Sequence, residues 1–241
     1  MKYTPFLLRI RTIISAGLLM ILAGVASGQA TSSQVTVNSA STTTDGGVVV
    51  TVTIQDATTG GADVEIDSTG NGNIAAVTDN NDGTYTGTLL NTTAETVTVS
   101  AIVDDVDSAN IVTVTFAPGA ADETKSTLTV SNNSTTAGGS VTATLTAFDQ
   151  YDNPLATGGD TVVFSSSGTV SNLTDNSNGT YTATLSNTVA ETVSVSATIN
   201  NENVSGSTNP SVTFAPAAAS PSRSTLTVSN NSTTAGGSVT A

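Results

Sequence analysis

Residues 48–54 read VVVTVTI, and residues 141–147 read VTATLTA. In the first stretch Val48, Val50, Val52 and Ile54 fall on one face. In the second, Val141, Ala143, Leu145 and Ala147 do the same against a row of threonines. A hydrophobic period of two in residues rich in β-branching is the mark of a strand with one buried face. The alternation returns in residues 96–103, with Val97, Val99, Ala101 and Val103 inward, and in their counterparts Val193, Val195, Ala197 and Ile199. No stretch after residue 30 carries a helical period.

Outward from these stretches, alternating segments fall into two sets of seven. The first set lies near 34–40, 47–56, 62–69, 72–79, 83–91, 96–104 and 110–118. The second lies near 126–133, 140–149, 160–167, 168–175, 179–187, 191–200 and 209–216. Turn-forming clusters such as DGG, NNDG, NPLATGG and NSNG separate them. Seven short strands in about 90 residues predict an all-β fold of tandem seven-stranded immunoglobulin-like β-sandwiches. The inward face places Tyr85 and Phe116 as large core residues of the first unit, and Phe164, Tyr181 and Phe214 as those of the second.

Internal repetition sets the organisation. STLTVSNNSTTAGGSVTA at 126–143 recurs letter for letter at 224–241, and Phe116 and Phe214 are the same 98 positions apart. The chain divides into a leader (1–30), a first unit (31–120), a second unit (121–218), and a linker with the start of a third (219–241). Further immunoglobulin-like repeats are expected to follow. The leader has a basic start at Lys2, Arg9 and Arg11, an apolar run IISAGLLMILAGVA (13–26) and the small-residue stretch ASGQA. That is the pattern of a cleavable signal peptide, and the run is short for a membrane span of about 20 residues.

Without the leader, two basic residues, Lys125 and Arg223, stand against nineteen acidic ones, a balance of −17. Such a surface repels nucleic acid and anionic lipid. No nucleic-acid partner and no membrane insertion of the mature repeats are therefore expected. The chain has no cysteine and no histidine. Disulfides, Cys/His zinc sites and histidine-based nucleophilic catalysis are excluded, and no enzymatic site is expected.

The motifs GTYT (83–86 and 179–182), AETVSVSA (190–197) and AFDQYDNPL (147–155) resemble the bacterial immunoglobulin-like repeats of the invasin and intimin group of surface adhesins. Phe148 to Pro154 is similar to that group's Asp-x-x-Gly-Asn-Pro turn, with Asp152 where glycine is usual. DNNDGTYT (79–86) and DNSNGTYT (175–182) also resemble a hairpin of filamin-type repeats. The first unit has DATTGG (56–61) at the position of the Asn-Pro turn. The resemblance implies an exported, non-catalytic protein whose repeats serve as the stalk or spacer of a cell-surface adhesin. The partner so implied is a host or neighbouring-cell surface protein or glycan.

Three features carry alternative chemistry. Asp104, Asp105 and Asp107 cluster in one turn, and clustered carboxylates are suitable calcium ligands, although three fall short of calcium's usual six to eight oxygens. The corresponding reading is a calcium-stiffened array, with calcium the one cofactor considered. Tyr151 is the one candidate for an exposed aromatic in a sandwich-end loop, the kind of residue that contacts a sugar or a protein partner. Lys125 and Arg223, at the same position of two successive junctions, are placed to pair with an acid on the adjoining unit.

Overall fold

A computed structural model describes residues 32–55 and 61–240. The leader lies outside the described residues, as do positions 56–60 of DATTGG. Among the described residues no helix is long and apolar enough to cross a membrane.

The first unit holds strands β1 (Ser33–Val37), β2 (Ser41–Thr43), β3 (Gly47–Ile54), β4 (Val64–Ser68), β5 (Asn73–Ile74), β6 (Thr78–Asp79), β7 (Thr84–Leu90), β8 (Thr96–Val103), β9 (Val106–Asp107) and β10 (Val112–Ala117). One sheet runs β1-β3-β7-β5, with β6 also on β7. The facing sheet runs β2-β10-β8-β4, with β9 on β8. The second unit holds β11 (Thr127–Val130), β12 (Ser134–Thr136), β13 (Ser140–Thr146), β14 (Val162–Ser166), β15 (Thr169–Asp175), β16 (Thr180–Ser186), β17 (Thr192–Ile199), β18 (Glu202–Asn203) and β19 (Ser211–Ala215). Its sheets run β11-β13-β16-β15 and β12-β19-β17-β14, with β18 on β17.

Each sandwich closes over one core. Val48, Val50, Val52, Ile54, Val97, Val99, Ala101 and Val103 are buried in the first with Tyr85 and Phe116. Val141, Ala143, Leu145, Ala147, Val193, Val195, Ala197 and Ile199 are buried in the second with Phe164, Tyr181 and Phe214. The tyrosines are buried by their rings and tied by their hydroxyls. Tyr85 Oη accepts the Gly61 and Ala62 N–H groups at 3.0 and 2.9 Å. Tyr181 Oη accepts from Asp160 N and donates to Asp160 Oδ2. Each thus pins the entry to a strand, β4 in the first unit and β14 in the second.

All seven strand positions per unit are occupied, with three departures from simple strands. The first strand of each unit is split. β1 pairs antiparallel with β3, then the chain crosses to the other sheet, where β2 lies parallel to β10. β11 and β12 repeat this against β13 and β19. The crossing is paid for locally by Asn38, whose side chain accepts the Val49 N–H at 2.9 Å. The strand near 72–79 survives in the first unit only as β5 and β6, while β15 is continuous with one irregularity between Ser171 and Thr174. Gly87 of β7 lies under that break: a β-carbon there would meet Ile74 Cγ2 at 3.0 Å. The missing side chain lets the neighbouring chain sag inward and leave the ladder. The third departure is the added pair β9 and β18, each closing a tight hairpin.

Candidate functional site: the junction between the units

The turn after β13 is organised by a single carboxylate. Asp149 Oδ1 accepts the N–H groups of Tyr151 and Asn153, both at 2.9 Å, and the Asn153 side-chain amide at 3.1 Å. This is the local chemistry by which Asp favours turns. Asp152 sits at φ 66°, a left-handed conformation that aspartate tolerates and glycine adopts freely. That accounts for the group's usual glycine at this place.

The other oxygen leaves the unit. Asp149 Oδ2 accepts the Thr44 hydroxyl at 2.7 Å and the Gly119 N–H at 2.9 Å, both from the first unit, as well as the Asn153 amide at 2.9 Å. Asn153 then reaches across in both senses. Its Nδ2 donates to Thr92 C=O at 2.8 Å, and its Oδ1 accepts the Ala94 N–H at 3.0 Å. Gln150 Nε2 donates to Asp45 Oδ1. Thr44, Asp149 and Asn153 are buried. A loop at one end of the second sandwich is thereby clamped onto three loops at the facing end of the first. No buried side-chain polar atom among the described residues lacks a partner.

Burial pushes the Asp149 carboxyl up, but hydrogen bonds from Gly119, Asn153 and Thr44 outweigh it and hold the group below the ordinary carboxylate range. A carboxyl lowered on folding stabilises the fold above its unfolded value, about 3.9, and the stabilisation is lost as pH falls through the lower folded value. Asp122, in the linker, is also held low, chiefly by the Thr124 hydroxyl, so it acts with the same sign. The clamp is therefore expected to be unchanged from pH 8 to about 5, and to begin weakening only as pH falls below the ordinary carboxylate value of about 3.9. Small-angle scattering across that range checks this; loosening that begins near neutral pH would contradict it.

Lys125 does not reach the first unit. Its ammonium pairs with Asp152 at 2.9 Å within its own unit, because the turn brings that carboxylate back over the linker. The pair is exposed and is worth at most about 1 kcal/mol. Tyr151 is 40% exposed and stands on the junction turn itself, not on a free sandwich end.

Asp104 and Asp105 are the two residues of the β8–β9 turn, at φ 48° and 67°, and Asn200 and Asn201 occupy the same places at 51° and 72°. Asx residues suit two-residue hairpins that need positive φ at both positions. Asp104 Oδ1 also accepts the Asp63 N–H at 3.0 Å, as Asn200 Oδ1 accepts that of Thr161 at 3.1 Å. Asp107 is exposed on β9. Among the described residues no set of three acidic groups is gathered where it could hold a metal ion.

The family described as invasin, domain 3, matches residues 26–119 and again 122–217. The chain belongs to that family. Solved structures agree. The structure of invasin, described as a bacterial integrin-binding protein, is 26% identical with a TM-score of 0.56, over 76% of this chain and 40% of its own. The Escherichia coli adhesin FdeC is 28% identical with a TM-score of 0.59, over 84% of this chain and 69% of its own. InvD of Yersinia pseudotuberculosis is 27% identical with a TM-score of 0.57, over 86% and 64%. The chain thus spans well under half of the invasin structure and about two thirds of the other two. Among curated proteins no sequence match is found.

Thr44, Asp149 and Asn153 carry the junction, and sequence reading alone assigns them no role. The signal available was the DQYDNP turn, visible as a family motif but silent about what it faces.

Proposed function

We propose that the chain is a non-catalytic part of an exported bacterial surface adhesin, in which the sandwiches act as a stalk. The observation that carries this is the Asp149–Asn153 clamp. Relative motion is the default for two domains that share no substantial interface. Here five hydrogen bonds from one turn hold the second unit against the end of the first. A fixed end-to-end joint is what a spacer needs in order to hold a binding head away from a surface. Family membership supports the adhesin setting, and the absence of histidine and cysteine leaves no ordinary nucleophile–base pair. By analogy with invasin, the partner of the complete adhesin is a host surface protein, contacted beyond these units.

The absence of cysteine makes a direct test simple. Asp67→Cys and Ser165→Cys place one spin label at matching exposed strand positions of the two units. Pulsed electron resonance should give one narrow distance population, the same with and without millimolar calcium. A distribution as broad as an unrestrained linker allows would reject the stalk.

A further inference from the structure

The far end of the second unit repeats the surface that the first unit offers to Asp149 and Asn153. The main-chain groups involved are the N–H of Gly119, the N–H of Ala94 and the C=O of Thr92. The repeat places Ala217, Ala190 and Thr188 at those positions. Gly119, Thr93 and Ala94 are partly covered, whereas Ala217, Val189 and Ala190 are exposed, Val189 at 58%. The second unit therefore ends in an open version of the seat that is filled in the first.

Two side chains differ, in a correlated way. Thr44, which donates to Asp149, is replaced by Ala137. Asp45 is replaced by Gly138, at φ 90°. A β-carbon at Gly119 would collide with the Asp45 carboxylate at 2.2 Å. With glycine at 138 that obstacle is gone, and the second unit carries a methyl there, at Ala217. The exchange preserves the shape of the seat while removing its hydroxyl donor and its carboxylate.

The chain beyond the seat is prepared in the same manner. Ser126 N–H and Oγ both bond to Asp122 C=O, and Ser224 N–H and Oγ both bond to Ser220 C=O. Ser131 and Thr142 exchange a pair of bonds that Ser229 and Thr240 repeat. Residues 224–240 are exposed, with Leu226 at 82%. They copy a segment whose Ser126, Leu128 and Val141 are buried in the complete second unit.

Resting on the stalk reading, we infer that the end of the second unit formed by Ala137, Thr188, Ala190 and Ala217 is the seat for a third unit's Asp-x-x-x-Asn turn. It grips that turn through main-chain groups alone, so the second joint is looser than the first. The stalk is graded in stiffness along its length.

The test completes the third unit on the full chain. Residues 144–218 are appended after Ala241, so that the sequence following Ser224 reproduces the second unit. Spin labels at position 165 and at its appended copy report the second joint; labels at 67 and 165 report the first. The expected result is a peaked distribution at the second joint, broader than at the first. It should broaden further when the appended copy of Asp149 becomes alanine, and narrow with Ala137→Thr, which restores the hydroxyl. A second-joint distribution that neither substitution changes, beside a narrow first joint, overturns the seat and leaves the stalk reading standing. Breadth at both joints sinks the stalk reading itself. A third unit that stays unfolded by circular dichroism also overturns the seat, because the same residues fold behind the first one.

Discussion

Phe214→Ala is expected to unfold the second sandwich while the first continues to melt on its own. Phe214 lies on β19 and is 1% exposed, among the largest side chains fully enclosed in the protein. Its core is otherwise built of small and medium residues, with Ala143, Ala147, Ala183 and Ala197 among them. Short side chains on rigid strands cannot reach into the space a phenyl ring vacates, so the void stays open. Such truncations cost about 3–5 kcal/mol. A sandwich of this size with a light core has a stability near the lower end of the usual range, about 5 kcal/mol. The loss is thus comparable to the whole. Calorimetry should show one of two transitions move down by tens of degrees, at roughly 4–8 °C per kcal/mol. Phe116→Ala should move the other transition instead, since Phe116 occupies the matching place in the first core. A melting profile untouched by Phe214→Ala would mean that the inward face of β19 has been misassigned.

That inward face is the part of the molecule most plainly written in the sequence. A buried strand face needs nothing but alternation, and alternation is local. Val48 to Ile54 and Val193 to Ile199 declare their faces with no knowledge of their neighbours. The divided first strand is different. β2 and β12 have three residues each, too few for a period, and they exist because β10 and β19 offer parallel edges far along the chain. The break between β5 and β6 likewise depends on Gly87, which is adjacent only across the sheet. The acids at 104 and 105 are visible in the sequence as a cluster, but their positive φ in a two-residue turn is not. Least legible is the joint. Thr44 and Asp149 are 105 residues apart, and neither belongs to a pattern with the other. The turn motif reports that something is held there, but only the packed pair of sandwiches shows what.

Asp149→Asn should cost almost no volume and nevertheless disrupt the joint. Every group around the carboxylate is a donor: the N–H groups of Tyr151, Asn153 and Gly119, the Asn153 amide and the Thr44 hydroxyl. A carboxylate has acceptors on both oxygens; an amide has one oxygen and one NH2. Whichever way the new side chain turns, its NH2 faces donors in a site from which water is excluded. If the amide nitrogen takes the Oδ2 place, the Thr44 hydroxyl can turn to accept from it, but the Gly119 N–H is left facing a donor, and the second unit's hold on the first weakens. If it takes the Oδ1 place, the turn itself loses the N–H acceptor that shapes it. Either outcome leaves buried donors unpaired, at about 1–3 kcal/mol each, so a total near 2–4 kcal/mol is expected, read as a lower melting temperature for the second unit. Thr44→Ala supplies the comparison, because it removes one cross-joint bond and leaves the turn whole, for about 1 kcal/mol. The two variants separate the roles: Thr44→Ala should widen the distance distribution between the units and lower the melting temperature by roughly 4–8 °C at most, whereas Asp149→Asn should widen it as much and lower melting two- to four-fold further. It should also lose the part of the acid-induced loosening that Asp149 causes, since position 149 no longer titrates. An Asp149→Asn chain as stiff and as stable as the parent would show that the carboxylate does not hold the stalk together.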